Sequence, residues 1–421
     1  MERMSENPGL VDVLIVGAGP AGSAAAIHAA EAGHEVLLVD AASFPRDKTC
    51  GDGLTPRAIR QLGRLGLADA VTSGYHNRGL KLHGFGGSVT APWPEGAYGT
   101  LGSAMPRTRF DHLLARTAVE RGATLWEGAT ATGVEFAGGR VDVVTVRHGD
   151  VEKRVRPRWL LVADGVRSTF GKLLGRRWHR GEVYGIAARS YCASPMSDEP
   201  WIHSHVELRD ADGTVQPGYG WIFPLGDGRV NLGAGALSTD ARPARVNTKK
   251  LLSHYAAQRR REWGLGPEQD VASALLPMGG AVSDVAGPNW LLIGDAAALV
   301  NPLNGEGIDY GMESAEMAVD LLRPGRDLTL VWPHVLRTTY GDAFLLARTA
   351  ARLLTYPQFL PLVGPLGLRG PVGAALMPAA ARLMGNLVTD GDRDLVARAW
   401  RLAGSAASRV RRDTPLWATS A

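Results

Sequence analysis

Apolar residues crowd the stretch from Val11 to Val16, and a run of that length fits a strand buried in a parallel sheet. Ser23 to Ala32 follows as an alanine-rich helix whose short side chains allow close packing on that strand, and Gly33 is placed to end it. Glu35 to Val39 reads as a second strand, and Trp159 to Val162 as another, ending in the turn Asp164-Gly165 with Arg167 and Ser168 opening a helix. The pattern then changes. Alternation and turns mark Tyr184 to Tyr191, Trp201 to Leu208 and Arg229 to Gly235, which predicts an antiparallel sheet able to wall a pocket. In Tyr219 to Pro224 the period of two places Tyr219, Trp221 and Phe223 on one face of a strand. Such a face makes an apolar wall, and core packing alone would produce the same pattern.

The longest apolar tract, Leu353 to Leu368, is broken by Pro357, Pro361 and Pro365 and falls short of the roughly 20 residues of a spanning helix. With Phe344, Tyr356 and Phe359, and with Arg348, Arg352 and Arg369 beside it, it suits a bilayer interface or the mouth of a lipid tunnel, or else a helical cap over the core. A chain of 421 residues with 45% hydrophobic content can bury a large core in two or three units. Its net charge of +4 comes from scattered residues and is too slight an excess to argue for a nucleic-acid partner, and none is expected. Cys50 and Cys192 are the only cysteines, and the first ten residues lack an apolar signal core, so a reducing cytoplasm is the expected compartment.

Chemistry concentrates in a few loops. Gly17, Gly19 and Gly22 of the GAGPAG turn permit close approach of backbone amides to a pyrophosphate, and Asp40 falls about 20 residues on, where a carboxylate accepts from ribose hydroxyls. Far downstream, Gly294-Asp295-Ala296-Ala297 runs on to Asn304-Gly305-Glu306-Gly307-Ile308, and Asp295, expected at the mouth of a second small-residue helix, suits the ribityl chain and ring. Together the two loops point to FAD. Phe44 to Gly53 is a glycine-bearing loop expected beside the flavin ring, and Arg107, opening a helix, is placed to donate to the phosphates or the ribityl chain. Because the two FAD loops are so far apart, the expected FAD-binding domain is discontinuous, at residues 1–78, 104–178 and 276–328. The substrate domain is then 79–103 with 179–275, and 329–421 forms a helical tail. His203, His205 and Glu207 alternate along one strand but are expected on a solvated face rather than around a metal, and none is assigned. His28 is expected in packing, and Arg259 to Arg261 on a solvated helix face.

The chain resembles the geranylgeranyl reductase family of FAD-dependent oxidoreductases, within the larger α/β fold shared with aromatic hydroxylases. The marks are Lys-Thr-Cys-Gly-Asp-Gly at 48–53, Tyr-Gly-Trp-Ile-Phe-Pro at 219–224, and Gly-Asp-Ala-Ala with Asn-Gly-Glu-Gly-Ile at 304–308. Phe44 to Arg57, Ser273 to Gly280 and Asn386 to Asp392 are similar to the bacterial branch that saturates one isoprene unit of menaquinone. The resemblance implies a Rossmann-like FAD domain with an inserted antiparallel-sheet substrate domain. It implies FAD contacts at Ala21, Asp40, Gly51, Gly53, Arg107, Asp295, Gly307 and Ile308, with Ala131 near the adenine. It makes Cys50 the family cysteine and Tyr219, Trp221, Phe223 and Pro224 the substrate wall, whereas a basic residue common after that proline is here Leu225.

The expected reaction adds hydride and a proton across an isoprene double bond. An isolated alkene cannot hold negative charge, so protonation leads, and the faces of Trp221 and Tyr219 can steady the positive charge that develops. Cys50 is the candidate for placing or relaying the proton; its other reading is a small residue packed against the ring. Electrons are expected from NAD(P)H or a ferredoxin visiting the flavin, the substrate is a polyprenyl lipid, and peripheral contact with a membrane surface is compatible. Geranylgeranyl diphosphate or another prenyl lipid is an alternative substrate. The shared fold also keeps FAD-dependent aromatic hydroxylation and a non-catalytic prenyl-binding protein open, whereas the Trp-x-Trp-x-Ile-Pro signature of halogenases is missing.

Overall fold

The computed structural model describes residues 9–371, a few positions between 373 and 388, 392–410 and 416–419. Most of the 386–392 motif lies outside the described residues. The apolar run Gly9–Val16 is the hub of an eight-stranded sheet, in parallel register with Val36–Val39 on one side and Val151–Val162 on the other. Val13, Leu14 and Ile15 are fully buried there, each contributing about 1.5–3 kcal/mol. Helix Pro20–Glu31 packs on this strand through alanines, as its composition predicts.

A second, seven-stranded sheet runs in the order Gln269–Pro277, Tyr184–Ala193, Arg229–Ser238, Gly218–Pro224, Ile202–His205, Gly79–Gly84, Gly87–Pro92. Its neighbours are antiparallel except Ile202–His205 with Gly79–Gly84, which pair in parallel because the chain enters the sheet twice. The expected solvated face of His203 and His205 is overturned: helix Thr248–Trp263 covers it, leaving the two imidazoles 3% and 5% exposed. His203 meets Trp263 edge-on, His205 Nδ1 lies 2.6 Å from the Tyr255 hydroxyl, and His83 stacks on both. Burial pushes the His203 and His205 imidazoles down to about 3 and about 2, so both are neutral at any ordinary pH. Ile202, Ser204 and Val206 face the opposite way and line the central cavity. Arg260 and Arg261 are exposed on that covering helix, in line with expectation.

Helices Val331–Leu354 and Phe359–Leu368 follow. Phe344 and Arg348 take the second of the two readings, a helical cap over the core. Both are buried, and Arg348 pairs with Glu182 at 2.8 Å. Among the described residues no helix is long and apolar enough to cross a membrane.

Candidate active site

The glycine turn connects strand Gly9–Val16 to helix Pro20–Glu31, so its amides stand at the positive end of the helix. Gly17 has a φ of +100°, and a Cβ there would lie 2.4 Å from the Ala163 carbonyl oxygen. Asp40 closes the turn: its Oδ2 accepts the Ala18 N–H at 2.7 Å and its Oδ1 the Ala42 N–H at 2.9 Å. Two guanidiniums face this turn, since Arg46 and Arg107 would lie 3.6 and 4.0 Å from a Cβ on Gly19. Both are held by the buried carboxylate of Asp111, which accepts from Arg107 Nε at 2.6 Å and from Arg46 Nη1 at 2.7 Å. Two cations around one anion, beside the N-terminal end of a helix, make a site suited to a pyrophosphate.

Gly294–Ala297 is a single 3₁₀ turn rather than the expected helix. Gly294 and Ala298 both adopt left-handed backbone at φ +58° and +53°, which a continuing α-helix does not admit, and the helix begins only at Ile308. Asp295 therefore stands in a loop, where its Oδ2 accepts a 2.9 Å bond from Lys48 Nζ. Loss of solvent alone would raise this carboxyl, but Lys48, with Arg107 and Arg176, holds it below its usual range. That ion pair ties the 44–53 loop to the 294–308 loop across 247 positions of sequence.

Between these loops lies a cavity of about 410 Å³. Gly19 and Ala21 reach it from the first turn, Cys50, Gly51 and Gly53 from the next loop, and Arg107 from its helix. Asp295, Gly305, Gly307 and Ile308 close one side, while Tyr219, Trp221 and Phe223 form the opposite wall. Gly17, Gly22 and Asp40 shape the cradle from behind, and Ala131 sits half-buried on strand Ala129–Ala137. The turn Asp164-Gly165 has a divided role: Asp164 accepts from Ser168 Oγ and the Phe170 amide, capping a short helix, and only Gly165 lines the cavity. Leu225 packs with Tyr75, Ala104 and Tyr191 instead of facing the cavity, so its departure from the family pattern leaves the wall unchanged. The amides, paired guanidiniums and Asp40 at one end, and the second glycine loop opening a helix at the other, are groups that would hold FAD.

The aromatic wall and the cysteine loop are fastened together by Asn231, a fully buried residue with no sequence signal of its own. Its Nδ2 donates to the Cys50 carbonyl at 2.8 Å and to Asp52 Oδ2 at 2.9 Å, and its Oδ1 accepts from Trp221 Nε1 at 3.0 Å. Gly51 has to be small, because a Cβ there would sit 2.9 Å from the Phe223 ring. Tyr219 donates its hydroxyl proton to the Asn304 carbonyl, pinning the wall to the downstream loop. Burial pushes the Cys50 thiol up, against the pull of Arg107, so its proton stays on sulfur at neutral pH. Sequence reasoning placed Arg46 and Lys48 in the loop expected beside the ring but gave neither of them, nor Asp111, a role of its own. For Asp111 the local signal was its i,i+4 spacing from Arg107.

Residues 10–322 match the family described as FAD binding domain. The chain is 53% identical over 96% of its length to the menaquinone reductases of Mycolicibacterium smegmatis and Mycobacterium tuberculosis, covering 98% of each. It is 31% identical over 74% of its length to the digeranylgeranylglycerophospholipid reductase of Thermoplasma acidophilum, 78% of which is covered. In structure it is similar to a geranylgeranyl bacteriochlorophyll reductase-like protein of that archaeon, with TM-score 0.72, 20% identity, and coverage of 97% of this chain and 100% of the other. The flavin-dependent brominase Bmp2 shares the fold at TM-score 0.72 and 21% identity, covering 96% of this chain and all of its own. The chain thus belongs to the FAD-binding-domain family and, within it, to the geranylgeranyl reductase group that its motifs resemble.

Proposed function

We propose that this protein is an FAD-dependent reductase that saturates a carbon–carbon double bond of a polyprenyl chain, with one isoprene unit of menaquinone as its substrate. One observation carries the reading: the cavity that opens on both FAD loops continues between the aromatic wall and aliphatic side chains, among them Leu80, Ile202, Leu276, Leu354 and Leu360. A greasy channel of this kind orients a prenyl chain by exclusion of water, with few polar anchors. When bound and reduced, FAD supplies the hydride. Gly19, Ala21, Asp40, Arg46 and Arg107 would hold its nucleotide end, and Gly51, Gly53, Asp295, Gly305, Gly307 and Ile308 its ring end.

The chain's own residues then have separable tasks. Trp221, fixed through Asn231, and Tyr219, fixed through Asn304, face the alkene and steady positive charge as the proton arrives. Cys50 presents an S–H to the same space. The pieces 79–103 with 179–275 serve as the substrate domain, 1–78, 104–178 and 276–328 as the FAD domain, and 329–421 as the helical region at the channel mouth. NAD(P)H or a ferredoxin is the reading for the reductant.

Incubating dithionite-reduced holoenzyme anaerobically with menaquinone, and separately with geranylgeranyl diphosphate, tests the reaction by mass spectrometry. Menaquinone gaining two hydrogens is the expected product. Reduction of the diphosphate alone would move the substrate, and NADPH-driven oxygen uptake with a hydroxylated product would replace the reading by aromatic hydroxylation.

Leu360 lines the cavity, while its helix neighbours Leu362 and Leu366 are 73% and 68% exposed and Arg369 follows them. A bilayer is the occupant that suits such a face, because the substrate's own tail resides there. The protein then works from the cytoplasmic side of a membrane. Leu362→Glu with Leu366→Glu should reduce sedimentation with phosphatidylglycerol vesicles by roughly tenfold or more. Undiminished binding would sink this assignment.

A further inference from the structure

Directly after the cavity cysteine and one glycine, Asp52 is only 1% exposed, with left-handed backbone at φ +64°. Its Oδ2 accepts two bonds, from the Tyr191 hydroxyl at 2.7 Å and from Asn231 Nδ2 at 2.9 Å. Its Oδ1 has no partner, although the residue lines the cavity. Its backbone N–H meets the Cys50 sulfur at 3.4 Å, so thiol and carboxyl share one short turn. An ionised carboxylate with one bare, dry oxygen is costly, whereas a carboxylic acid with its proton on Oδ1 and two donors on Oδ2 satisfies the same geometry.

We infer that Asp52 is the proton store of this site, whose Oδ1 proton replaces the one that the Cys50 thiol gives to the substrate alkene. The inference rests on the prenyl-reductase reading and deepens it. In the balanced step the alkene π bond is consumed. One carbon takes the proton from Cys50 Sγ, and the other takes a hydride, with its electron pair, from reduced FAD, which is thereby oxidised by two electrons. The thiolate left on Cys50 takes the Asp52 proton, and solvent reprotonates the carboxylate between turnovers. The groups facing Asp52 set its range: burial raises it to about 6, against the bonds from Tyr191 and Asn231 and the charges of Arg107 and Arg189. Arg229 and Cys50 also feel its charge. A carboxyl of that range is charged and discharged near the working pH, as an acid catalyst requires.

Asp52→Asn copies the shape of the protonated acid and keeps an oxygen for Tyr191 and Asn231. Infrared titration of the holoenzyme without substrate should show a protonated-carboxyl band disappearing with a midpoint near pH 6 that is lost in Asp52→Asn. In the second variant, Tyr191→Phe, removal of a donor to the charged form should move that midpoint upward. The rate of alkene reduction should fall in the wild type as pH rises through the same midpoint. In Asp52→Asn it should be lower by about 100-fold or more and lose that inflection. A variant that is slow but keeps the wild-type pH profile would assign Asp52 a merely structural role and overturn the inference, as would the absence of any such band. A wild-type holoenzyme that reduces no prenyl alkene would instead sink the reading of the reaction. The substrate-free titration decides separately whether the proton is stored beside Cys50.

Discussion

Gly22→Val is expected to yield a colourless protein. A Cβ at Gly22 would lie 1.7 Å from the Gly17 carbonyl oxygen and 3.2 Å from the Ala163 side chain, and the first of these neighbours is backbone that no rotamer can clear. Relief requires the helix Pro20–Glu31 to withdraw from its strand, which opens the alanine packing beneath it and displaces the turn proposed to face the pyrophosphate. Overpacking of this kind costs about 1–3 kcal/mol, and if most of it falls on the bound state FAD affinity drops by up to about 100-fold. Flavin absorbance after gel filtration and a fluorescence-quench titration measure the loss. Gly63→Ala is the matched control, because its nearest neighbour would be 3.9 Å away and it lies in helix Pro56–Arg64. A yellow Gly22→Val protein with wild-type affinity would show that the turn does not carry the phosphates.

Gly233→Ala is expected to separate catalysis from cofactor binding. Gly233 is paired with Trp221 on the adjacent strand, and the indole lies flat across it: a Cβ would stand 1.9 Å from Cζ2 and 2.2 Å from Cε2. The ring would have to lift, breaking the 3.0 Å bond from Nε1 to Asn231 and loosening the grip of Asn231 on Cys50 and Asp52. The glycine turn at Gly17–Gly22 belongs to the other sheet and is untouched. Flavin content should therefore fall far less than turnover of the prenyl substrate, which drops by roughly 100-fold, the usual penalty for about 1 Å of misplacement at a reacting centre. Single-turnover flavin reoxidation by the alkene would measure it. Equal rates would remove Trp221 from the reaction.

These two glycines also mark the limits of what a linear reading reveals. Gly22 belongs to a local motif, where strand, turn and helix follow within a few residues and glycine is demanded by their mutual approach. Gly233 looks like any small residue in an alternating strand, and its role depends on an indole from a neighbouring strand. The imidazoles of His203 and His205 make the same point. Period-two alternation distinguishes the two faces of a strand but not what lies over each, and helix Thr248–Trp263 supplied the second cover.

From the sequence alone came the two glycine loops, Asp40 beside the first, the face shared by Tyr219, Trp221 and Phe223, and the two-sheet α/β plan, because each is written in backbone periodicity or in glycine at close range. Tertiary structure decided that Asp295 stands outside a helix and pairs with Lys48, that Asp111 gathers Arg46 and Arg107, and that Asn231 links Trp221 to the cysteine loop. The Lys48–Asp295, Arg46–Asp111 and Asn231–Cys50 bonds join groups 247, 65 and 181 positions apart. Such pairs are set by the path of the chain through two sheets, and no local spacing encodes them.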